Sequence, residues 1–393
     1  MLTDGALRML VLLHFHVLGF NPIQLAYLFL LYEFAGIVTN LSAGWLASKF
    51  GLNITLFSGL ILQIISLLLL TQVNENWTIL ASVVFVMFVQ GLSGVSKDLT
   101  KMSSKSAVKL LAPEKNTKLF KWVSFLTGSK NTVKGLGFFI GGLLLYLFDF
   151  QTSLVIMSII LFVVLIISYI TIPKNLGTID KKVKFSEVFS KNKNINFLSL
   201  SRVFLFGARD VWFVVGLPLF FYSILSDGSV NNNKNAFFII GSFLAFWIII
   251  YGIIQTLTPK LTKNQISKTS SVQVAKNWSL YLFPIPIMLF FLLKLHPYNE
   301  NFNLIITIII LLVFCIFFAI NSSLHSFLIL KFTDKKRVTL DVGFYYMSNA
   351  AGRLVGTLFS GLSYTFGGME FCLFISSVFL LINRLSMSNI KEQ

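Results

Sequence analysis

The sequence predicts an all-α polytopic membrane protein of twelve transmembrane helices, and three observations carry that reading. Of its 393 residues 55% are hydrophobic and only 12% are charged, where a soluble domain carries roughly 25% charge. Uninterrupted apolar runs recur, such as LFSGLILQIISLLLL (56–70) and LIITIIILLVFCIFFAI (304–320); about 20 such residues cross the hydrocarbon as a helix. The basic residues between those runs alternate in abundance from loop to loop.

Apolar runs read against breakers give spans at 1–18, 22–47, 54–71, 77–95, 123–148, 153–172, 197–224, 236–258, 279–293, 303–325, 340–365 and 367–386. The first carries Asp4 and Arg8 and no small-residue cleavage site, so it is no removable signal peptide. It also reads short, as a truncated helix, and the length of a spanning helix predicts roughly 10–20 further apolar residues upstream. The second ends in Gly44-Trp45-Leu46-Ala47-Ser48-Lys49-Phe50-Gly51. After the fourth, Lys97, Lys101, Lys105 and Lys109 recur at helical spacing, which predicts a surface helix turned to lipid headgroups. Residues 173–196 are rich in Lys, Asn and Asp without apolar periodicity, and read as a linker between halves 1–172 and 197–393.

Every loop after an even-numbered span holds Lys or Arg, seven of them after span 4 (Lys97, Lys101, Lys105, Lys109, Lys115, Lys118, Lys121). Loops after odd-numbered spans hold only Lys234 and Lys294. The positive-inside rule then places the even loops and both termini in the cytoplasm, with the chain in the cell's inner membrane. The net charge of +17 is therefore topology, and no nucleic-acid partner is expected. Cys315 and Cys372 lie in apolar helices and read as packing residues. His14 and His16 lie near the outer end of span 1, where a lone H-x-H seldom marks a metal pair, and neither a metal nor a cofactor is expected. With no nucleophile motif or ligand cluster, the chain does not read as an enzyme.

Six cations fall inside apolar spans: Arg8, Lys130, Lys134, Arg202, Arg209 and Arg353. Each costs roughly 2.5–3.5 kcal/mol at the bilayer centre. Only Asp4, Glu33, Asp210 and Asp341 oppose them, and the excess points to an anionic small-molecule substrate. Arg8, Lys130, Lys134, Arg209 and Arg353 are the candidate binding residues, since Arg offers a planar donor fork to an oxyanion and Lys a point charge. Arg202 lies nearest a segment end. Asp4, Glu33 and Asp210 are candidates for proton coupling or for service as counter-ions. Asp4 and Arg8 are spaced to pair on one helix face. Asp210, about 100° around its helix from Arg209, is expected to find a partner elsewhere.

The halves carry two internal matches. Gly5-Ala6-Leu7-Arg8 matches Gly207-Ala208-Arg209-Asp210, and Lys134, Gly137 and Gly142 match Arg353, Gly356 and Gly361 at identical spacing. Parallel six-helix repeats mark the major facilitator architecture, with its site between the halves. The segment Gly44 to Gly51 resembles the gating-loop motif of that superfamily, with Gly44, Lys49 and Gly51 in place and Ser48 where an acid is expected. Gly128, Gly137 and Gly141 have the spacing of its antiporter motif, and also that of close helix packing.

The stretches LTDGALRMLVLLHFH (2–16), FLLYEFAGIVTNLSAGWLA (29–47), SKDLTKMSSKSAVKLL (96–111), LTGSKNTVKGLGFFIGG (126–142), FLFGARDVWFVVGLP (204–218), NSSLHSFLILKF (321–332) and VGFYYMSNAAGRLVGTLFSGL (342–362) resemble the organoarsenical-efflux permeases of the ArsJ type. The resemblance implies a major facilitator fold and export of 1-arseno-3-phosphoglycerate, made by a glyceraldehyde-3-phosphate dehydrogenase partner, and hence arsenate resistance. A monomer is expected. The alternative on the same fold is a transporter of sugar phosphates or other organic anions.

Overall fold

A computed structural model of the chain describes residues 1–50, 52–74, 76–111, 119–172, 192–296, 299–333 and 338–391. These residues form helices with no strand: α1 (Leu2–Val17), α2 (Pro22–Phe50), α3 (Leu52–Leu70), α4 (Ile79–Leu111), α5 (Leu119–Leu147), α6 (Phe150–Thr171), α7 (Lys193–Phe213), α8 (Gly216–Leu225), α9 (Val230–Leu261), α10 (Lys263–Lys268), α11 (Ser271–Leu282), α12 (Pro284–Leu295), α13 (Glu300–Phe332) and α14 (Val338–Ser388). Among the described residues, nine stretches are long and apolar enough to cross a bilayer. Helices dominate because hydrocarbon offers no partner for backbone N–H and C=O groups, so each segment must satisfy its own.

The sequence boundaries shift where local chemistry demands it. The span expected at 197–224 is two helices, broken at Val214–Val215, and the Ser360 hydroxyl accepts the freed N–H groups of Val215 (3.1 Å) and Gly216 (3.2 Å). The span at 279–293 starts earlier, at Ser271, and is interrupted at Phe283. Pro284 and Pro286 lack the N–H groups that a continuous helix would use there. α4 runs on to Leu111, well past residue 95, since the sequence holds no Gly or Pro from Val95 to Ala112. α14 is two rods divided at Gly367 and Gly368; Gly368 takes φ +62°, ψ −154°, a conformation essentially reserved for glycine.

Burial sorts the helices. α6 turns Ile159, Ile160, Phe162, Ile167 and Ile170 outward, an apolar skin suited to lipid. α7 is buried along most of its length. It packs along α14, while α5 packs along α9, and α2 packs along both α14 and α4.

Glycine sets the closest of these approaches. A methyl group on Gly137 would overlap the Leu2 carbonyl of α1, and one on Gly141 would crowd the Ala6 carbonyl. Gly128 and Gly142 turn instead to α9, against Gly252 and Gly241. The antiporter-like triplet is thus divided between two neighbours, and its spacing does the work of helix packing. Gly352 and Gly356 lie against Val203 and Gly207 of α7, and Gly361 against Pro22 and Ala26 of α2.

Candidate functional site

Two chains of buried charge meet in the bundle. The first joins α14, α2, α1 and α7. Arg8 Nη2 lies 2.5 Å from Glu33 Oε1, and Arg353 Nη2 lies 2.6 Å from the same oxygen. Arg353 Nε also reaches Asp210 Oδ2 at 3.3 Å, and Asp210 Oδ1 takes Arg209 Nη2 at 2.5 Å. Glu33 and Asp210 are each 1% exposed, so all four ion pairs work where water screens them little.

The second chain joins α1, α2, α4 and α5. Lys134 Nζ lies 3.4 Å from Asp4 Oδ2, and the Tyr32 hydroxyl donates to Asp4 Oδ1. Lys97 Nζ donates to the Tyr32 hydroxyl at 2.8 Å and stands 4.0 Å from Asp98. Lys101 Nζ bonds Asp98 Oδ1 (3.1 Å) and Asn40 Oδ1 (3.0 Å), while Thr39 and Asn40 donate to Asp98 Oδ2. The two chains touch where the Arg8 guanidinium lies over the Tyr32 ring, 5.1 Å from its centroid.

Several expectations change here. Asp4 is not ion-paired with Arg8: each reaches a neighbouring helix, Asp4 to Lys134 and Arg8 to Glu33. Arg209 does pair with the adjacent Asp210, its long side chain closing the angle around the helix, and Asp210 has its second partner in Arg353. Lys97 and Lys101 do not face lipid headgroups. Their side chains are 9% and 11% exposed, held inward by Asp98 on a helix that continues into the bundle. Lys105 and Lys109 have side chains outside the described residues. Lys130, half-buried, sits one turn from Lys134 on α5.

Among the gating-loop candidates, Gly44 and Lys49 belong to the last turns of α2. The Lys49 side chain and Gly51 lie outside the described residues. His14 stacks on Phe150 at 4.0 Å, and His16 meets Tyr222 edge-on at 4.6 Å. Both cysteines are free and buried, as packing residues should be.

Sequence reasoning passed over Tyr32 and Asp98, and turned Lys97 and Lys101 to lipid headgroups. The available signal was Asp98 itself, an acid placed among lysines one turn apart with no helix breaker nearby. Among the described residues of these two chains, six cations (Arg8, Lys97, Lys101, Lys134, Arg209, Arg353) face four carboxylates (Asp4, Glu33, Asp98, Asp210). The surplus is positive, and an anion is what the arrangement can accept.

Long apolar helices around a buried, net-positive ionic site define a multi-pass membrane transporter. Residues 1–329 match the family model of the Major Facilitator Superfamily, and the chain belongs to that family. No curated protein matches it in sequence. Among solved structures it is similar to a POT family transporter in complex with 5-aminolevulinic acid, at 14% identity and a TM-score of 0.72, over 98% of this chain and 93% of that one.

Proposed function

We propose that this transporter exports a small organic anion bearing phosphate-like groups, with 1-arseno-3-phosphoglycerate as cargo and arsenate resistance as the result. It works by alternating access between two six-helix halves, 1–172 and 197–393, joined by residues 173–196, as a monomer in the inner membrane. A glyceraldehyde-3-phosphate dehydrogenase is its functional partner.

One observation carries the proposal: Glu33 bridges Arg8 of α1 and Arg353 of α14 through a single oxygen. With every partner in place, an oxyanion enters by displacing a carboxylate. It takes Arg8 and Arg353 from Glu33, and Lys134 from Asp4. That exchange undoes the ionic link between the start and the end of the chain, and frees one half to rock against the other. A proton on Glu33, Asp4 or Asp210 releases the same cations, which is how a proton gradient drives the cycle.

The matched triplets support two equivalent halves. Lys134 and Arg353 each pair with a carboxylate, of α1 and of α7. Gly137 and Gly356 each lie against a glycine of that same helix, Gly5 and Gly207. Gly142 and Gly361 each turn to the opposite half, to α9 and to α2.

Expression with a glyceraldehyde-3-phosphate dehydrogenase in arsenate-sensitive cells lacking efflux tests the cargo. Arsenate tolerance should rise, and unchanged sensitivity with the protein shown in the membrane defeats the arsenical reading. A phosphate ester presents the same tetrahedral oxyanion to the same cations, so sugar-phosphate uptake into proteoliposomes tests the second reading. Lys134→Met and Arg353→Met should each abolish transport while membrane insertion persists; transport retained in both assigns the pair to structure.

A further inference from the structure

Arg202 differs from the other buried arginines. Arg8, Arg209 and Arg353 each hold a carboxylate within 2.6 Å. Arg202 is only 5% exposed, yet among the described residues no carboxylate pairs with it. Its Nε donates to Asn349 Oδ1 and its Nη1 to the Ser322 carbonyl, both at 3.0 Å. The guanidinium lies over the rings of Phe206 (4.0 Å) and Tyr345 (5.0 Å). Neutral acceptors and ring faces soften the burial of a cation, but a buried charge without a counter-ion still carries a desolvation cost.

A second observation points the same way. His325 lies three residues beyond Ser322 on α13, is 0% exposed, and neither ring nitrogen has a hydrogen-bond partner. Ser322, whose carbonyl accepts Arg202 Nη1 at 3.0 Å, is one turn from His325 on the same face of α13. A buried imidazole costs free energy unless its polar atoms are satisfied. A guanidinium lacking an anion and an imidazole lacking any partner share one remedy.

We infer that Arg202, with His325 one turn from the Ser322 carbonyl it bonds, anchors a tetrahedral oxyanion, the phosphate or arsenate end of the cargo. The guanidinium supplies charge and a donor edge, His325 an N–H, and Phe206 and Tyr345 a flat apolar floor. Seven residues separate Arg202 from Arg209, which puts both on one face of α7 about 10 Å apart. A cargo with two anionic ends meets Arg202 with one of them while the other faces the Glu33-bridged cations. This assignment deepens the transport reading and rests on it for the cargo, though oxyanion binding at Arg202 can be tested alone.

The experiment titrates inorganic phosphate into the purified full chain in a neutral detergent and follows thermal unfolding. Phosphate should raise the unfolding temperature. Arg202→Gln should weaken the apparent affinity at least tenfold, Arg202→Lys less, and His325→Ala a few-fold. No phosphate-dependent shift in the wild-type chain overturns the assignment, as does undiminished affinity in Arg202→Gln. If Arg202→Gln fails to fold, wild-type affinity in both Arg202→Lys and His325→Ala overturns it instead. A parallel titration with phosphatidylglycerol separates a lipid headgroup from free phosphate, and stabilisation by the lipid alone overturns the assignment to cargo. Active Lys134→Met and Arg353→Met transporters alongside a phosphate-blind Arg202→Gln would sink the displacement mechanism and leave the Arg202 site standing.

Discussion

At the scale of single residues, Glu33 holds the most consequential position. Neutralising it as Glu33→Gln leaves Arg8 and Arg353 facing each other without their shared acid. Breaking a buried pair by removing one partner costs about 3–5 kcal/mol, so the unfolding temperature of the purified protein should fall by several degrees. Added phosphate should recover part of the loss by taking the vacated place; a variant as stable as the wild type would show that the bridge contributes nothing. Asp149 gives a simpler case. It caps α6 by accepting from the Thr152 N–H at 2.6 Å, and that bond holds its carboxyl below the usual aspartate range. Its stabilisation is present above that range and is lost as the pH falls through the lowered value. Asp149→Ala should cost about 1 kcal/mol near neutral pH, read by denaturant unfolding, and less in acid. The candidate site was half legible at this scale. Arg8, Lys134, Arg209 and Arg353 stand out because charge in an apolar run is rare. Which acid each would choose was not legible, because i to i+4 spacing on one helix says nothing of a neighbouring helix that offers a better angle.

At the scale of elements, the packing of α5 rests on which way each glycine turns. Gly137 faces α1 and Gly128 faces α9, and neither contact tolerates a side chain without backbone movement. Overpacking of this kind costs about 1–3 kcal/mol even for one carbon. Gly137→Val should therefore reduce the yield of folded protein sharply, whereas Gly19→Ala, where an added carbon meets open space but φ is +88°, should cost less; equal yields would refute the ordering. The sequence made the existence of these helices plain through their hydropathy. It masked the break between α7 and α8, because hydropathy runs unbroken through Gly216 and Pro218, the residues that signal it, and the freed N–H groups find Ser360 on a helix far along the chain. The inward turn of Lys97 was hidden likewise, since a lysine after an apolar run reads as an interface anchor until its acid is located.

At the scale of the whole molecule, the alternation of basic loops predicts an orientation that can be checked directly. Lys234→Cys should react with a membrane-impermeant maleimide on intact cells, and Lys263→Cys only after permeabilisation, with Cys315 and Cys372 buried and silent. The opposite labelling pattern would invert the topology and with it the direction assigned to transport. Fold class and family were legible from hydropathy and spacing because the bilayer restricts the chain to helices. Cargo is a different matter, set by how a few donors are arranged within a shared architecture.

The pairing of Asp4, Arg8, Glu33 and Lys134 also bears on how such a chain is built. Synthesis delivers Arg8 first and Glu33 one helix later, so the opening hairpin can enter the bilayer already neutral at that position. Asp4 waits for Lys134, whose arrival closes the second pair. In the later part of the chain, Arg209 and Asp210 emerge side by side, and Arg353 reaches an acid that is already in place. Apart from Asp4, each of these acids and bases meets a partner no later than the next helix.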